Sequence, residues 1–172
     1  MPKRIAVLIS SNYQDLAYSE PVEAFRAARH SICNIEHQAG KVVHGSNYQS
    51  TVTIDRDFDH ISVDDFDALL IPGGESALNF SKDLTVLQFI QDFNQASKQI
   101  FSLDDASLLL GAADILNNRM ITSVRAHSEE LKNMGAYYYD AELVNDNNQI
   151  ISSRAPADLN IFIHECLRAL KS

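Results

Sequence analysis

The chain has 172 residues, the usual size of one domain, and we expect a single domain over residues 1–172. It carries 14 basic and 23 acidic residues, and this net charge of −9 argues against nucleic acid and anionic membranes as partners. Only Cys33 and Cys166 are present, which offers neither a disulfide framework nor zinc-ligand spacing, so we expect reduced thiols, no metal ion and no cofactor.

Strand-length apolar runs alternate with segments of helical period through the first half of the chain. Residues 5–10 predict a buried strand, and residues 19–30 predict a helix with Ser19 as its cap and Pro21 in its first turn. Further strands are predicted at residues 32–38, 41–44, 51–55 and 68–71. Pro72, Gly73 and Gly74 end the last of these strands.

The same alternation continues through the second half. Helices are predicted at residues 83–96, 106–116, 127–134 and 157–170. Strands are predicted at residues 99–103, 120–123, 137–139, 142–144 and 149–152, with a hairpin turn at residues 146–148. The apolar stretch near the N-terminus is too short for a secretory leader, and no run is long enough to cross a bilayer, so we expect a cytoplasmic protein.

This order of elements predicts an α/β fold. Right-handed crossovers between the strands give a mostly parallel sheet with helices on both faces, and the late strands add a small antiparallel patch. In such sheets, functional sites lie beyond the carboxyl ends of the strands. Three segments meet that description, namely residues 11–15, 72–77 and 104–107.

Two motifs carry a resemblance to a known family. Residues 67–74 read Asp-Ala-Leu-Leu-Ile-Pro-Gly-Gly, and residues 152–159 read Ser-Ser-Arg-Ala-Pro-Ala-Asp-Leu. Both are similar to signature segments of the ThiJ/PfpI (DJ-one, intracellular protease/amidase) superfamily, and the resemblance extends from about Arg4 to Leu170. It implies a flavodoxin-like three-layer sandwich that forms a homodimer or a higher homo-oligomer, and an amidotransferase-like site built on a cysteine.

The resemblance also implies where the family's reactive residues fall in this chain. The cysteine position, on a sharp turn between a strand and a helix, is Asp104, and the histidine and glycine that follow it are Asp105 and Ala106. The first-loop glutamate that contacts the thiol falls on Gln14. An acidic residue of protease-like members falls near Leu78, and a histidine of other members falls at Val124.

The replaced positions predict a family member without cysteine chemistry, either a non-catalytic protein or one related to stress. Aspartate tolerates the positive φ of such an elbow, and its carboxylate would cap the helix that follows. We expect Gly73, Gly74, Glu75 and Ala106 to line the pocket, with the glycines letting the backbone pass close to the elbow. Cys33 and Cys166 are predicted to be buried rather than reactive.

Three alternatives remain open. Asp104 could act as a carboxylate nucleophile or base in a hydrolase, with Asp105 raising its pKa through like charge. The altered pocket between Gln14, Glu75 and Asp104 could instead bind a small molecule as a sensor. A hard cation held by Asp104, Asp105 and Glu75 is the weakest of the three, because adjacent aspartates are more often a cap and a solvated neighbour. The six histidines share no ligand spacing, and a surface or packing role is expected for each.

Overall fold

Strands and helices alternate along residues 1–171, which are the residues described by the computed structural model. The strands are β1 (Arg4–Leu8), β2 (Ser31–Ile35), β3 (Val42–His44), β4 (Thr51–Thr53), β5 (Ala68–Ile71), β6 (Gln99–Leu103), β7 (Met120–Ile121), β8 (Tyr137–Tyr138), β9 (Leu143–Asp146) and β10 (Ile150–Ser153). The α-helices are α1 (Asp15–Ala27), α2 (Glu75–Asn79), α3 (Leu84–Gln95), α4 (Ala106–Ala112), α5 (Ser128–Asn133) and α6 (Leu159–Leu170). Short 3₁₀ turns occupy Phe58–His60, Val63–Asp65, Arg125–His127 and Pro156–Asp158.

The central sheet has six strands in the order β2-β1-β5-β6-β10-β9. Every neighbouring pair is parallel except β10 with β9, which run antiparallel. The turn between those two strands carries Asn147 and Asn148 at positive φ, as a tight hairpin requires. The predicted α/β fold, with a mostly parallel sheet and a small antiparallel patch, is therefore confirmed.

Helices cover both faces of the sheet, which explains why its strands are apolar on both sides. In β1, Ile5 and Val7 point into one core with α1 and α6, whereas Ala6 and Leu8 point into the other with α3 and α4. This alternation follows from the two-residue period of a strand. The helices cover the two faces of the sheet, and the loops that follow β1, β5 and β6 lie together at the carboxyl ends of these parallel strands.

Helix α1 begins at Asp15, four residues before the predicted start. Gln14 is its N-cap, and its side-chain oxygen accepts a hydrogen bond from Ala17 N over 2.6 Å. The prediction of a Ser19 cap was wrong because a glutamine is a less usual cap than a serine. Pro21 consequently lies inside the helix rather than in its first turn.

Other boundaries also differ from the sequence prediction. The short helix α2 directly after Gly74 was missed, because five residues give no helical period to read. Helix α4 ends at Ala112, although residues 106–116 were predicted. The closing helix begins with a 3₁₀ turn at Pro156–Asp158 before α6. Among residues 1–171, no helix has the length and apolar character needed to cross a bilayer.

Candidate functional site

Asp104 lies on a sharp turn between β6 and α4, at the carboxyl end of β6. Its φ is 53°, in the left-handed region where aspartate is one of the more tolerated residues. The backbone N–H of Asp104 donates to Ser153 O of β10 over 3.0 Å, which ties the turn to the neighbouring strand. The positive φ expected for an elbow residue is confirmed.

The backbone after β5 packs directly against the Asp104 side chain. A Cβ atom placed on Gly73 would lie 2.6 Å from Asp104 Oδ2 and 2.8 Å from Leu103 O. Gly74 has a φ of 95° and is the N-cap of α2, so it also needs the freedom of glycine. The close approach to the elbow holds for Gly73, whereas a Cβ atom on Gly74 would meet the loop after β1, 2.8 Å from both Asn12 O and Gln14 N.

One oxygen of the Asp104 carboxyl group, Oδ1, is buried without a hydrogen-bond partner among residues 1–171. The residue is only 4% exposed, and within residues 1–171 nothing donates to its Oδ1. Burial, followed by the like charges of Asp105 and Asp158, raises its pKa to about 7. The prediction that this carboxylate caps the next helix was wrong, because α4 has Asp105 as its N-cap and no side-chain hydrogen bond there.

Asp105 holds a histidine that the sequence prediction left out of the site. Oδ1 of Asp105 lies 2.7 Å from His127 Nε2, and its Oδ2 accepts from Gly74 N over 3.2 Å. The Asp105 carboxylate, in the loop after β6, therefore contacts one residue from the loop after β5 and one from the loop after β7. His127 could have been found from its position beyond the carboxyl end of β7, whereas residue spacing alone gave no sign of it.

The structure places the other predicted site residues, Gln14, Glu75 and Ala106, in different surroundings. The side chain of Gln14 is engaged in capping α1, while its backbone N–H donates to Gly73 O over 3.0 Å. Ala106 is fully buried as the first residue of α4, and Glu75 is exposed at the start of α2. Asp104, Asp105 and Glu75 do not meet as a cation site, since no group of three metal-ligating side chains occurs among residues 1–171.

A second charged group flanks the elbow on the side of α6. Asp158 is 8% exposed, and its Oδ2 accepts from Arg154 Nε over 3.2 Å. Nη1 of Arg154 also donates to Asp140 Oδ1 over 3.1 Å. Asp158 is thereby paired with an arginine, whereas Asp104 forms no ion pair within residues 1–171 that would favour its ionised form.

Neither cysteine lies at the elbow. Cys166 is fully buried in α6, and burial raises the pKa of its thiol well above the usual range. Cys33 is half-buried in β2, where burial first and Asp55 second raise its pKa to about 11. In the sheet order, β1 and β5 separate β2 from β6, a lateral distance of roughly 14 Å at the usual strand spacing.

Comparison with known proteins places the chain among relatives of similar length. The sequence profile of the DJ-1/PfpI family matches residues 3–169. Protein/nucleic acid deglycase 2 of Escherichia coli is 40% identical over 99% of both chains. The putative cysteine protease YraA of Bacillus subtilis is 38% identical, and general stress protein 18 of the same organism is 36% identical, each over 99% of this chain and at least 99% of the relative.

Solved structures share the fold. A two-domain protein from Anabaena variabilis, with DJ-1/ThiJ/PfpI-like and ferritin-like domains, superposes with a TM-score of 0.94 at 25% identity. That match covers 98% of this chain and half of the two-domain chain. Schizosaccharomyces pombe DJ-1 superposes with a TM-score of 0.87 at 20% identity, over 98% of this chain and 92% of the other.

Proposed function

This chain belongs to the DJ-1/PfpI family, and we propose that it is a member in which a buried carboxylic acid has replaced the reactive cysteine. The observation that carries the proposal is Asp104, which stands at the elbow with a φ of 53° and 4% exposure. The family's cysteine-type reactions are therefore absent, and the protein acts without catalysis, in a role related to stress. The similarity to general stress protein 18 supports that assignment.

Thiol chemistry needs a thiolate that is both accessible and easily ionised. Two relatives are named as a deglycase and as a putative cysteine protease, and we do not extend either activity to this chain. Its two thiols have raised pKa values, so at neutral pH each is overwhelmingly protonated. Cys33 lies in strand β2 and Cys166 in helix α6, and neither lies on the elbow.

Asp104 is a poor substitute for a thiolate. A pKa of about 7 leaves much of the carboxyl protonated at neutral pH, and a protonated carboxyl is not a nucleophile. Its buried Oδ1 also lacks a base or a donor to activate it. These properties suit a neutral residue that keeps the shape of the turn.

Turnover measurements test this proposal. Wild-type protein and an Asp104→Cys variant would be assayed with a panel of small aldehydes, esters and amides. We expect no thiol-dependent turnover by either protein, because wild type has no thiol at the elbow and a cysteine at residue 104 would be buried beside Asp105 and Asp158, which disfavour a thiolate. Robust wild-type turnover that iodoacetamide abolishes would refute the proposal.

A second candidate is a hydrolase that uses the acids of the elbow. It is favoured by the contact of 2.7 Å between Asp105 and His127, because a carboxylate that holds one imidazole nitrogen orients the other as a base. The imidazole is 19% exposed and the Asp105 side chain is 23% exposed, so solvent reaches the pair. Asp104, protonated below about pH 7, would supply the acid.

The two candidates predict different outcomes for His127→Gln. If the pair is catalytic, ester hydrolysis by wild type follows a pH profile that both His127→Gln and Asp104→Asn abolish. Arg125→Gln in the same loop serves as the control, because its side chain is 85% exposed. Equal rates in all four proteins would remove the hydrolase candidate.

We also propose that the protein is a homodimer. Large apolar side chains are exposed around the start of α1 and the β3–β4 hairpin, namely Leu16 at 48%, Val42 at 49% and Tyr48 at 78%. Asp15 holds this hairpin against α1, since it accepts from Asn47 N over 3.0 Å and from Ser50 Oγ over 2.7 Å. Sedimentation velocity at micromolar concentration is expected to give a dimer, and Tyr48→Ser is expected to weaken it.

A further inference from the structure

A groove that contains no residue of the elbow lies between α3 and the two 3₁₀ turns that precede β5. Its volume is about 520 Å³, within the range of protein binding sites. The apolar part of its lining is aromatic and aliphatic, formed by Phe58, Ile61, Val63, Leu84 and Phe89. Leu84, the first residue of α3, is 80% exposed, which leaves a large apolar side chain at the rim in full contact with water.

Aromatic contacts, an ion pair and backbone hydrogen bonds hold the walls of this α3 groove in place. The Phe58 ring lies 5.6 Å from Phe89 and 5.0 Å from the His37 ring, measured between centroids. His37 in turn contacts Asp83, the N-cap of α3. On the other wall, Lys98 Nζ donates to Val63 O over 2.8 Å and to Phe66 O over 2.6 Å. A groove fixed in this way loses little conformational entropy when it is filled.

The segments that border the α3 groove carry more acidic than basic residues. Residues 56–66 contain four aspartates and one arginine, and residues 82–98 contain two aspartates and two lysines. His60 faces Asp57 and His37 faces Asp83, so two of the six acids have an imidazole beside them. Asp59 and Asp64 are exposed around the turns, Asp65 lines a separate cavity with Arg4 and Arg56, and Asp92 lines the groove from α3.

We propose that the α3 groove binds an amphipathic helix of a partner protein, one that presents apolar side chains flanked by lysine or arginine. The apolar lining and the exposed Leu84 supply the surface to be buried, and the excess of acidic residues along the borders selects the basic flanks. The net charge of −9 disfavours acidic partners in general. The elbow and its chemistry play no part in this interaction.

The length of the groove fits such an occupant. From α3 it is lined by Leu84, Thr85, Gln88, Phe89 and Asp92, which lie on one face of the helix. Eight helical steps from Leu84 to Asp92 span about 12 Å, or roughly two turns. An apposed helix of similar length would place two apolar side chains in the groove and its basic residues over the rim.

Three fluorescent peptides of about 14 residues, roughly four helical turns, test the proposal with the whole protein. The first has leucine on one face and lysine on its borders, the second replaces lysine by glutamate, and the third replaces leucine by serine. Fluorescence anisotropy should show binding of the first peptide only, with the other two at least about tenfold weaker. Raising the salt from about 0.05 M to 0.5 M should weaken the first as well.

Three variants locate the binding site. Leu84→Ser removes the exposed apolar side chain and should weaken the basic peptide about fivefold or more, since a fully buried leucine side chain is a large part of such a contact. Ile161→Ser, at an exposed apolar side chain of α6, should leave the affinity unchanged. Asp92→Asn should reduce the salt dependence without changing the fold.

Each remaining outcome contradicts the proposal. Equal binding of all three peptides, or equal affinity in wild type and Leu84→Ser, would show that the α3 groove does not select a basic helix. If Leu84→Ser dissociates the protein in sedimentation velocity, the groove is an interface between two copies of this chain. If a small apolar dye binds the groove but no peptide does, the occupant is a small molecule.

Discussion

At the scale of single residues, the elbow depends on the protonation of Asp104. An ionised carboxylate there would be buried, without a donor for Oδ1, and close to the negative charges of Asp105 and Asp158. His127 and Arg154 are the cationic or potentially cationic groups nearby, but they contact Asp105 and Asp158 respectively. The neutral form is therefore favoured in the folded protein.

This preference predicts a dependence of stability on pH. The folded pKa of Asp104, about 7, lies above the usual 3.8, so the folded state holds a proton that the unfolded state releases between these values. The stabilisation is full below pH 3.8 and is lost as the pH rises through about 7. The substitution Asp104→Asn removes the titrating group, and asparagine tolerates a positive φ as aspartate does.

Denaturant unfolding at pH 5 and pH 8 checks this prediction. The free energy of unfolding of Asp104→Asn, relative to that of wild type, should increase by about 2–3 kcal/mol from pH 5 to pH 8, because wild type loses stability over this range. Asp59→Asn, at an exposed carboxylate, is the matched control and should show no such gain. A constant difference between Asp104→Asn and wild type across the pH range would mean that Asp104 is ionised throughout.

At the scale of elements, the loop after β1 is organised by Gln14. Because its side chain caps α1, Gln14→Ala should cost about 0.5–1.5 kcal/mol of the free energy of unfolding. Gln14→Asp retains a capping oxygen and should be close to wild type. The pH midpoint of Asp104 should not move in either variant, and a shift in it would show that Gln14 acts on the elbow.

The contact between the β5 loop and the elbow gives a second prediction at this scale. Gly73→Ala should cost about 1–3 kcal/mol, because its Cβ would overlap Asp104 and the β6 backbone. In an Asp104→Gly background, the same substitution should cost less, since the 2.6 Å contact with Oδ2 disappears. Equal costs in the two backgrounds, measured by denaturant unfolding, would show that the side chain does not restrict Gly73.

The elements themselves were largely predictable from the sequence. Doubly buried strands such as β1 and β5 read as continuous apolar runs, and α3 shows a clear apolar face. Boundaries set by single side chains were not predictable, and the Gln14 cap is the main case. Short α2 was missed because its start depends on the positive φ of Gly74 rather than on a repeating pattern.

At the scale of the whole molecule, the candidate site combines residues from distant segments. The order of strands placed residues 72–77 and 104–107 at the carboxyl ends of the sheet, and the family resemblance put Asp104 on a positive-φ elbow with Gly73 close to it. The sequence did not indicate that His127 reaches Asp105, or that Asp104 Oδ1 lacks a donor among residues 1–171. Those facts depend on side-chain packing between loops that are far apart in the sequence.

The measurement closest to the central claim is the rate of thiol alkylation in the native protein. Native wild type and the same protein unfolded in denaturant would be treated with iodoacetamide at neutral pH and followed by intact-mass spectrometry. Since Cys166 is fully buried and the pKa of Cys33 is about 11, native wild type should remain unlabelled, while the unfolded chain should acquire two labels. Rapid labelling of native wild type at Cys33 or Cys166 would contradict the claim that this family member has no reactive thiol.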